Sequence, residues 1–94
     1  MTFDNNLFAA FIYTEKGTTC ADNGLQDLST EQECSAAVTY AKYFNDDAQY
    51  AKSGSFKIYP KGCFIWDTGK MYFNLHSSGN KHTEIRSICN KGNY

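Results

Sequence analysis

Four cysteines constrain this chain more than any other feature, because only 94 residues are available to build a core. They are Cys20, Cys34, Cys63 and Cys89, and no two form the C-x-x-C pair of zinc ribbons and thioredoxin-like sites. An even number of widely spaced cysteines in a small chain predicts two disulfides and an oxidising compartment. Buried free thiols and a metal site are the alternatives. We predict no metal site and no cofactor.

The central predicted element is a β-hairpin spanning residues 59–74. Its arms, residues 64–66 and 72–73, consist of the aromatic and branched side chains that pack well on a pleated surface. Between them, residues 67–69 read Asp-Thr-Gly, and the glycine can take the left-handed conformation that a tight hairpin needs.

One helix is predicted to begin near residue 30, where two overlapping capping boxes pair Ser29 with Gln32 and Thr30 with Glu33. It should end where the polar residues 45–47 begin a turn. Apolar residues recur at helical spacing and indicate a single face buried against a sheet. That face comprises Cys34, Ala37, Val38, Ala41 and Phe44.

Three further segments are predicted to be strands: residues 7–13, 56–59 and 82–89. Residues 48–55 and 75–81 are polar and contain glycine, so they are predicted to be loops. The first strand has apolar side chains on both faces. It therefore belongs either to the chain's own sheet or to an arm that pairs with a neighbouring subunit.

These elements predict an α+β fold, with one helix packed on an antiparallel sheet of about four to five strands and two disulfides. We expect a single domain over residues 1–94. Residues 1–14 would be the N-terminal strand or arm, and residues 20–89 the cysteine-framed core.

Four cysteines allow three disulfide pairings. We favour Cys34–Cys63, which would join the helix to the hairpin. The remaining pair, Cys20–Cys89, would then tie the segment before the helix to the last strand.

A series of short motifs resembles a small cysteine-rich module of marine microalgae and other protists. The motifs are Cys20, Glu33-Cys34 followed by Ala36-Ala37, Pro60-Lys61-Gly62-Cys63, Tyr72-Phe73-Asn74 and Cys89. The resemblance covers residues 20–89 and leaves out the N-terminal segment. It implies an exported disulfide module from such an organism, without catalytic residues.

Composition excludes several classes of function. The formal net charge is −1 and no basic stripe is present, so we predict no nucleic-acid partner. The longest apolar run, residues 7–13, is too short for a membrane span. It is preceded by Asp4 rather than by basic residues, so we expect the mature form of a protein that is secreted, or held in another oxidising compartment such as a lumen.

No catalytic constellation is visible in the sequence, and we predict that the protein is not an enzyme. The preferred function is a structural or protein-interaction module, a subunit of a larger assembly. One alternative is a secreted carbohydrate-binding module, since aromatic rings suit both kinds of contact. The second is a small secreted enzyme or toxin using His76 and His82. The candidate contact residues are Phe8, Phe11, Tyr13, Tyr59, Trp66 and Tyr72.

Overall fold

The structure is a computed structural model that describes residues 10–91. Its described part contains six strands, one 3₁₀ helix (Ala21–Asn23) and two consecutive short α-helical segments. The strands are β1 (Phe11–Tyr13), β2 (Gln26–Asp27), β3 (Gln49–Gly54), β4 (Pro60–Trp66), β5 (Lys70–Gly79) and β6 (Ile85–Asn90). The helical segments are α1 (Glu31–Ala36) and α2 (Val38–Ala41).

All six strands form one sheet, in the order β1-β6-β4-β5-β3, with β2 also paired to β6. Every pair is antiparallel except β3 with β5, which run parallel. The predicted α+β class, with a helix on a sheet and two disulfides, is confirmed. The sheet is mixed rather than wholly antiparallel, and it has one strand more than the upper prediction.

The predicted central hairpin is formed by β4 and β5. Gly69 closes it with a φ of 95°, a conformation that favours glycine, and its N–H donates to the Trp66 carbonyl at 2.9 Å. The short polar connection therefore forms the tight turn that its sequence predicts.

The helix is shorter than predicted and is interrupted at Ala37. Of the two capping boxes, the one between Thr30 and Glu33 forms, and Glu33 also accepts a hydrogen bond from the Ser29 N–H at 2.8 Å. Because Glu33 bonds to both residues, the Ser29–Gln32 box is not used. Phe44, predicted to be buried, is 48% exposed because it lies beyond the end of α2.

Strand register assigns each side chain of the sheet to one of two faces. Cys63 pairs with Phe73 and Ile88, and these side chains face the helix and contribute to the core. Phe64, the next residue, pairs with Tyr72 and Ser87 on the opposite face. The helix covers only the first of these faces, which leaves the second to be covered by loops.

The two disulfides lie on opposite faces of the sheet. Cys34 joins Cys63 beneath the helix, and Cys20 joins Cys89 on the other face, with Cα–Cα distances of 5.3 and 5.7 Å. This is the pairing that the sequence analysis favours. All four residues are at most 1% exposed.

Two segments predicted to be loops belong to strands. Residues 49–54 form β3, although most of their side chains are small or polar, because backbone pairing with β5 at the sheet edge needs no apolar pattern. Strand β5 continues to Gly79, which pairs with Pro60 across the sheet.

One predicted strand, residues 56–59, is wrong, and another, residues 82–89, begins too early. Residues 56–59 form a loop, because the N–H and carbonyl of Phe56 bond to the side chain of Asn74 instead of to a strand. The last strand begins at Ile85 rather than at residue 82, because Ile85 donates to the His82 carbonyl in a turn.

The N-terminal strand starts at Phe11 and pairs with β6 of the same chain, with Tyr13 opposite Ile88. Phe11 is 9% exposed and belongs to the core. Over residues 11–13 the segment is therefore a strand of the chain's own sheet. Residue 10, predicted to be strand, is helical, and residues 7–9, the remainder of the predicted strand, lie outside the described residues.

Candidate functional site

The face of the sheet opposite the helix carries a cluster of aromatic side chains. Alternation along β4 and β5 places Phe64, Trp66 and Tyr72 on this face. Phe64 and Tyr72 are direct cross-strand partners, and their rings stack with centroids 5.5 Å apart at an interplanar angle of 23°. Phe64 is buried whereas Trp66 and Tyr72 are half-buried, so the outer rings meet solvent.

The loop before β4 adds Phe56 and Tyr59 to the cluster. The Phe56 ring lies edge-on to Tyr72 at 5.9 Å, and the Tyr59 ring lies 5.5 Å from Phe64. Both loop side chains therefore pack on the aromatic residues of the sheet.

A buried amide fixes that loop. Asn74 is 2% exposed, and its Oδ1 accepts from the Phe56 N–H at 2.8 Å. Its Nδ2 lies within 3.0 Å of the carbonyl oxygens of Phe56, Tyr59 and Pro60. Asn74 thus bonds to backbone groups across residues 56–60 and positions the two aromatic rings.

His82 extends the cluster at its other end. Its ring centroid lies 5.6 Å from that of Tyr59 and 5.2 Å from that of Trp66. The Glu84 N–H donates to Nδ1 of His82 at 3.1 Å, which fixes the orientation of the imidazole. Tyr59 and Trp66 themselves meet edge to face, with centroids 5.4 Å apart.

The five Phe, Tyr and Trp side chains of this cluster line an open groove of about 450 Å³, which we call the aromatic groove. It has an apolar floor and a few polar groups at its rim, the usual composition of a ligand site. Its lining comprises Lys52, Phe56, Tyr59, Phe64, Trp66, Thr68, Lys70 and Tyr72.

A second aromatic cluster lies on the helix face. Tyr13 stacks on Phe44 with centroids 4.2 Å apart, and Tyr40 packs against Phe11 at 5.9 Å. The Arg86 guanidinium lies 4.9 Å above the Tyr13 ring and donates to the Thr14 carbonyl. These contacts join β1, the end of the helix and β6, so this cluster holds the fold together.

The structure thus separates the predicted contact residues. Tyr59, Trp66 and Tyr72 come together in the aromatic groove, whereas Phe11 and Tyr13 pack on the opposite face of the sheet. Phe8 lies outside the described residues.

Sequence reasoning missed several groove residues. Phe64 follows from strand alternation with Trp66, a signal present in the sequence. Phe56 and Lys52 could not be inferred from the sequence, because the loop and the edge strand that position them were not predicted.

The two histidines are not brought together into an acid–base pair. His82 packs in the aromatic cluster, whereas Nδ1 of His76 accepts the Gly79 N–H at 3.0 Å at the end of β5. Asp27, on strand β2, is a half-buried acid. Burial raises the pKa of Asp27, and the positive charge of Lys61 opposes that rise.

Among the described residues no cluster of three or more histidine, cysteine or acidic side chains could hold a metal ion. Within residues 10–91 no helix has the length and apolar character needed to cross a membrane.

A scan against protein-family models finds none that matches this chain, and searches of curated proteins and of solved structures also find no match. The resemblance to the microalgal cysteine-rich module therefore stays a prediction. The aromatic groove is the feature of the described residues from which a function can be inferred.

Proposed function

We propose that the protein is a non-enzymatic carbohydrate-binding module that works in an oxidising compartment outside the cytoplasm. The observation that carries this proposal is the aromatic groove. Its rings offer apolar faces to the C–H faces of a sugar, and Thr68 and the Tyr59 and Tyr72 hydroxyl groups supply polar contacts at the rim.

Rigidity of the groove supports a binding role. Each ring contacts at least one other ring, and the hydrogen bonds of Asn74 hold the loop that supplies Phe56 and Tyr59. A ligand that docks on a preorganised surface loses less affinity to the ordering of side chains.

The assembly function preferred from the sequence took the N-terminal apolar segment as its most plausible contact element, beside the aromatic content and the near-neutral charge. Phe11–Tyr13 pair with β6 of the same chain, so these residues are an edge strand of the domain rather than a free arm. A free-standing module that binds a ligand through its groove fits this arrangement better.

Trp66 provides the test, because it is the only tryptophan of the chain and lines the groove. Screening on a glycan array, followed by titration of Trp66 fluorescence with each hit, should give a saturable spectral shift. Replacing Trp66 with leucine should weaken binding about tenfold by isothermal titration calorimetry, because an aromatic contact is worth about 1 to 1.5 kcal/mol.

The control is Tyr43→Ala, which removes an aromatic side chain that is 65% exposed and lies outside the groove. This variant should bind as the unmodified chain does. Absence of glycan binding would contradict the proposal. Concentration-dependent self-association in sedimentation experiments would then favour the assembly function.

A further inference from the structure

The rim of the aromatic groove is positively charged on one side. Lys70 and Tyr72 alternate with Met71, which faces the helix, so Lys70 shares the groove face with Tyr72. Lys52, on the edge strand β3, pairs directly with Tyr72 and lines the same groove.

A β-bulge is the reason that Lys52 reaches this face. Tyr50 pairs with Met71 and Lys52 with Tyr72, so Ala51 is an extra residue in the strand. In a regular strand Lys52 would share the helix face with Tyr50, two residues before it. The bulge redirects the lysine to the groove, which is a known use of bulges beside functional sites.

Neither lysine is neutralised within the described part of the chain. Lys52 and Lys70 are exposed, the described ion pairs involve Lys16 and Lys81 instead, and the groove lining contains no carboxylate. The chain as a whole has a formal net charge of −1. Positive potential is therefore a local property of the groove rather than of the whole surface.

We propose that the aromatic groove binds an anionic polysaccharide, whose sugar rings lie on the aromatic floor while their sulfate or carboxylate groups pair with Lys52 and Lys70. This inference rests on the proposed function and names its ligand class. Lysine suits the role because its ammonium is a compact point charge with three donors on a flexible stem.

Two matched pairs of polymers test this inference. Dextran sulfate is compared with dextran, and polygalacturonate with its methyl ester, so that charge changes while the sugar backbone stays the same. Binding is followed by Trp66 fluorescence and by isothermal titration calorimetry at two salt concentrations. At least one charged polymer should bind at least about tenfold more tightly than its neutral counterpart, and more weakly at the higher salt concentration.

The decisive variant is the double substitution Lys52→Ala with Lys70→Ala. Its control is Lys42→Ala with Lys91→Ala, which removes the same charge from two exposed lysines outside the groove. The groove variant should lose about tenfold in affinity and most of the salt dependence, whereas the control should lose neither. Thermal unfolding of both variants checks that the fold is intact.

The two polymers distinguish sulfate from carboxylate as the anionic group of the ligand, since dextran sulfate carries the first and polygalacturonate the second. Equal binding of charged and neutral polymers that depends on Trp66 would overturn the anionic specificity and leave the proposed function standing. Equal losses in the two double variants would also overturn it, because attraction would then be spread over the surface. No binding of any polymer or array glycan would overturn both proposals.

Discussion

The Tyr50 hydroxyl donates a 2.8 Å hydrogen bond to the carboxylate of Glu31. This bond joins the edge strand β3 to the first turn of α1, at the side of the sheet where β3 has only one strand neighbour. Burial, and then the bond to Glu31, raise the pKa of Tyr50 to about 12. The helix and the sheet edge are therefore coupled through a titratable group.

The raised pKa of Tyr50 predicts a loss of stability in alkaline solution. In the unfolded chain a tyrosine ionises near pH 10, so the contribution of Tyr50 is complete below that pH and is lost as the pH rises toward 12. Urea unfolding at pH 8 and pH 11 should show a smaller decrease for Tyr50→Phe than for the unmodified chain. Equal decreases in the two proteins would contradict the prediction.

Replacing Asn74 with aspartate should destabilise the fold strongly. The substitution puts a carboxylate where an amide faces the carbonyl oxygens of Phe56, Tyr59 and Pro60, and it removes every donor. We expect a loss of about 3 kcal/mol in the free energy of unfolding at pH 7. Protonation restores a donor, so part of the loss should be recovered in acid.

Asn80→Asp is the matched control for this substitution. The Asn80 amide makes one exposed hydrogen bond, to the Lys57 carbonyl at 2.9 Å, and its loss should cost about 0.5 kcal/mol. Denaturant unfolding measures both variants. Similar losses of unfolding free energy at the two positions would show that the burial of Asn74 does not add to the stability of the fold.

Two glycines with positive φ should respond differently to alanine. Gly24 has a φ of 69° with nothing within 4 Å of an added Cβ, so its substitution should cost about 1 kcal/mol of backbone strain. At Gly79, with a φ of 59°, an added Cβ would lie 2.5 Å from the Tyr59 carbonyl oxygen. That clash should raise the cost to about 3 kcal/mol or more. Thermal unfolding compares the two variants, and equal losses of stability would contradict the predicted clash.

The two disulfides should contribute unequally to the free energy of unfolding. The bridges close loops of sequence separation 69 for Cys20–Cys89 and 29 for Cys34–Cys63. In the chain-entropy model these correspond to about 4.5 and about 3.5 kcal/mol. Substituting both cysteines of one bridge with alanine, and measuring the unfolding free energy, should therefore destabilise the chain more for the longer loop. The reverse order, or a transition that reductant leaves unchanged, would contradict this prediction.

Strong local signals made the central part of the fold predictable. The aromatic arms of the hairpin, the glycine of its turn and the Thr30–Glu33 capping box each carry a physical mechanism within a few residues. The favoured disulfide pairing followed from placing Cys34 on a helix and Cys63 on a strand. These features needed no knowledge of distant contacts.

Features that depend on distant partners were not predictable. Strand β3 is defined by backbone pairing with β5, about twenty residues later, and its own side chains carry no strand pattern. Phe56 lies in a loop because Asn74 takes its backbone hydrogen bonds. The aromatic groove depends on both, which is why the sequence identified Tyr59, Trp66 and Tyr72 but missed Phe56 and Lys52.

The placement of the two disulfides on opposite faces of the sheet has a consequence for oxidative folding. Cys63 and Cys89 lie on neighbouring strands, and Cys63 pairs with Ile88, the residue before Cys89. Once β4 and β6 pair, however, the sheet stands between the two thiols. A thiol arriving with the helix then meets only Cys63, and one arriving with the opposite loop meets only Cys89. A sheet that formed before oxidation would separate the thiols in this way and leave one of the three possible pairings.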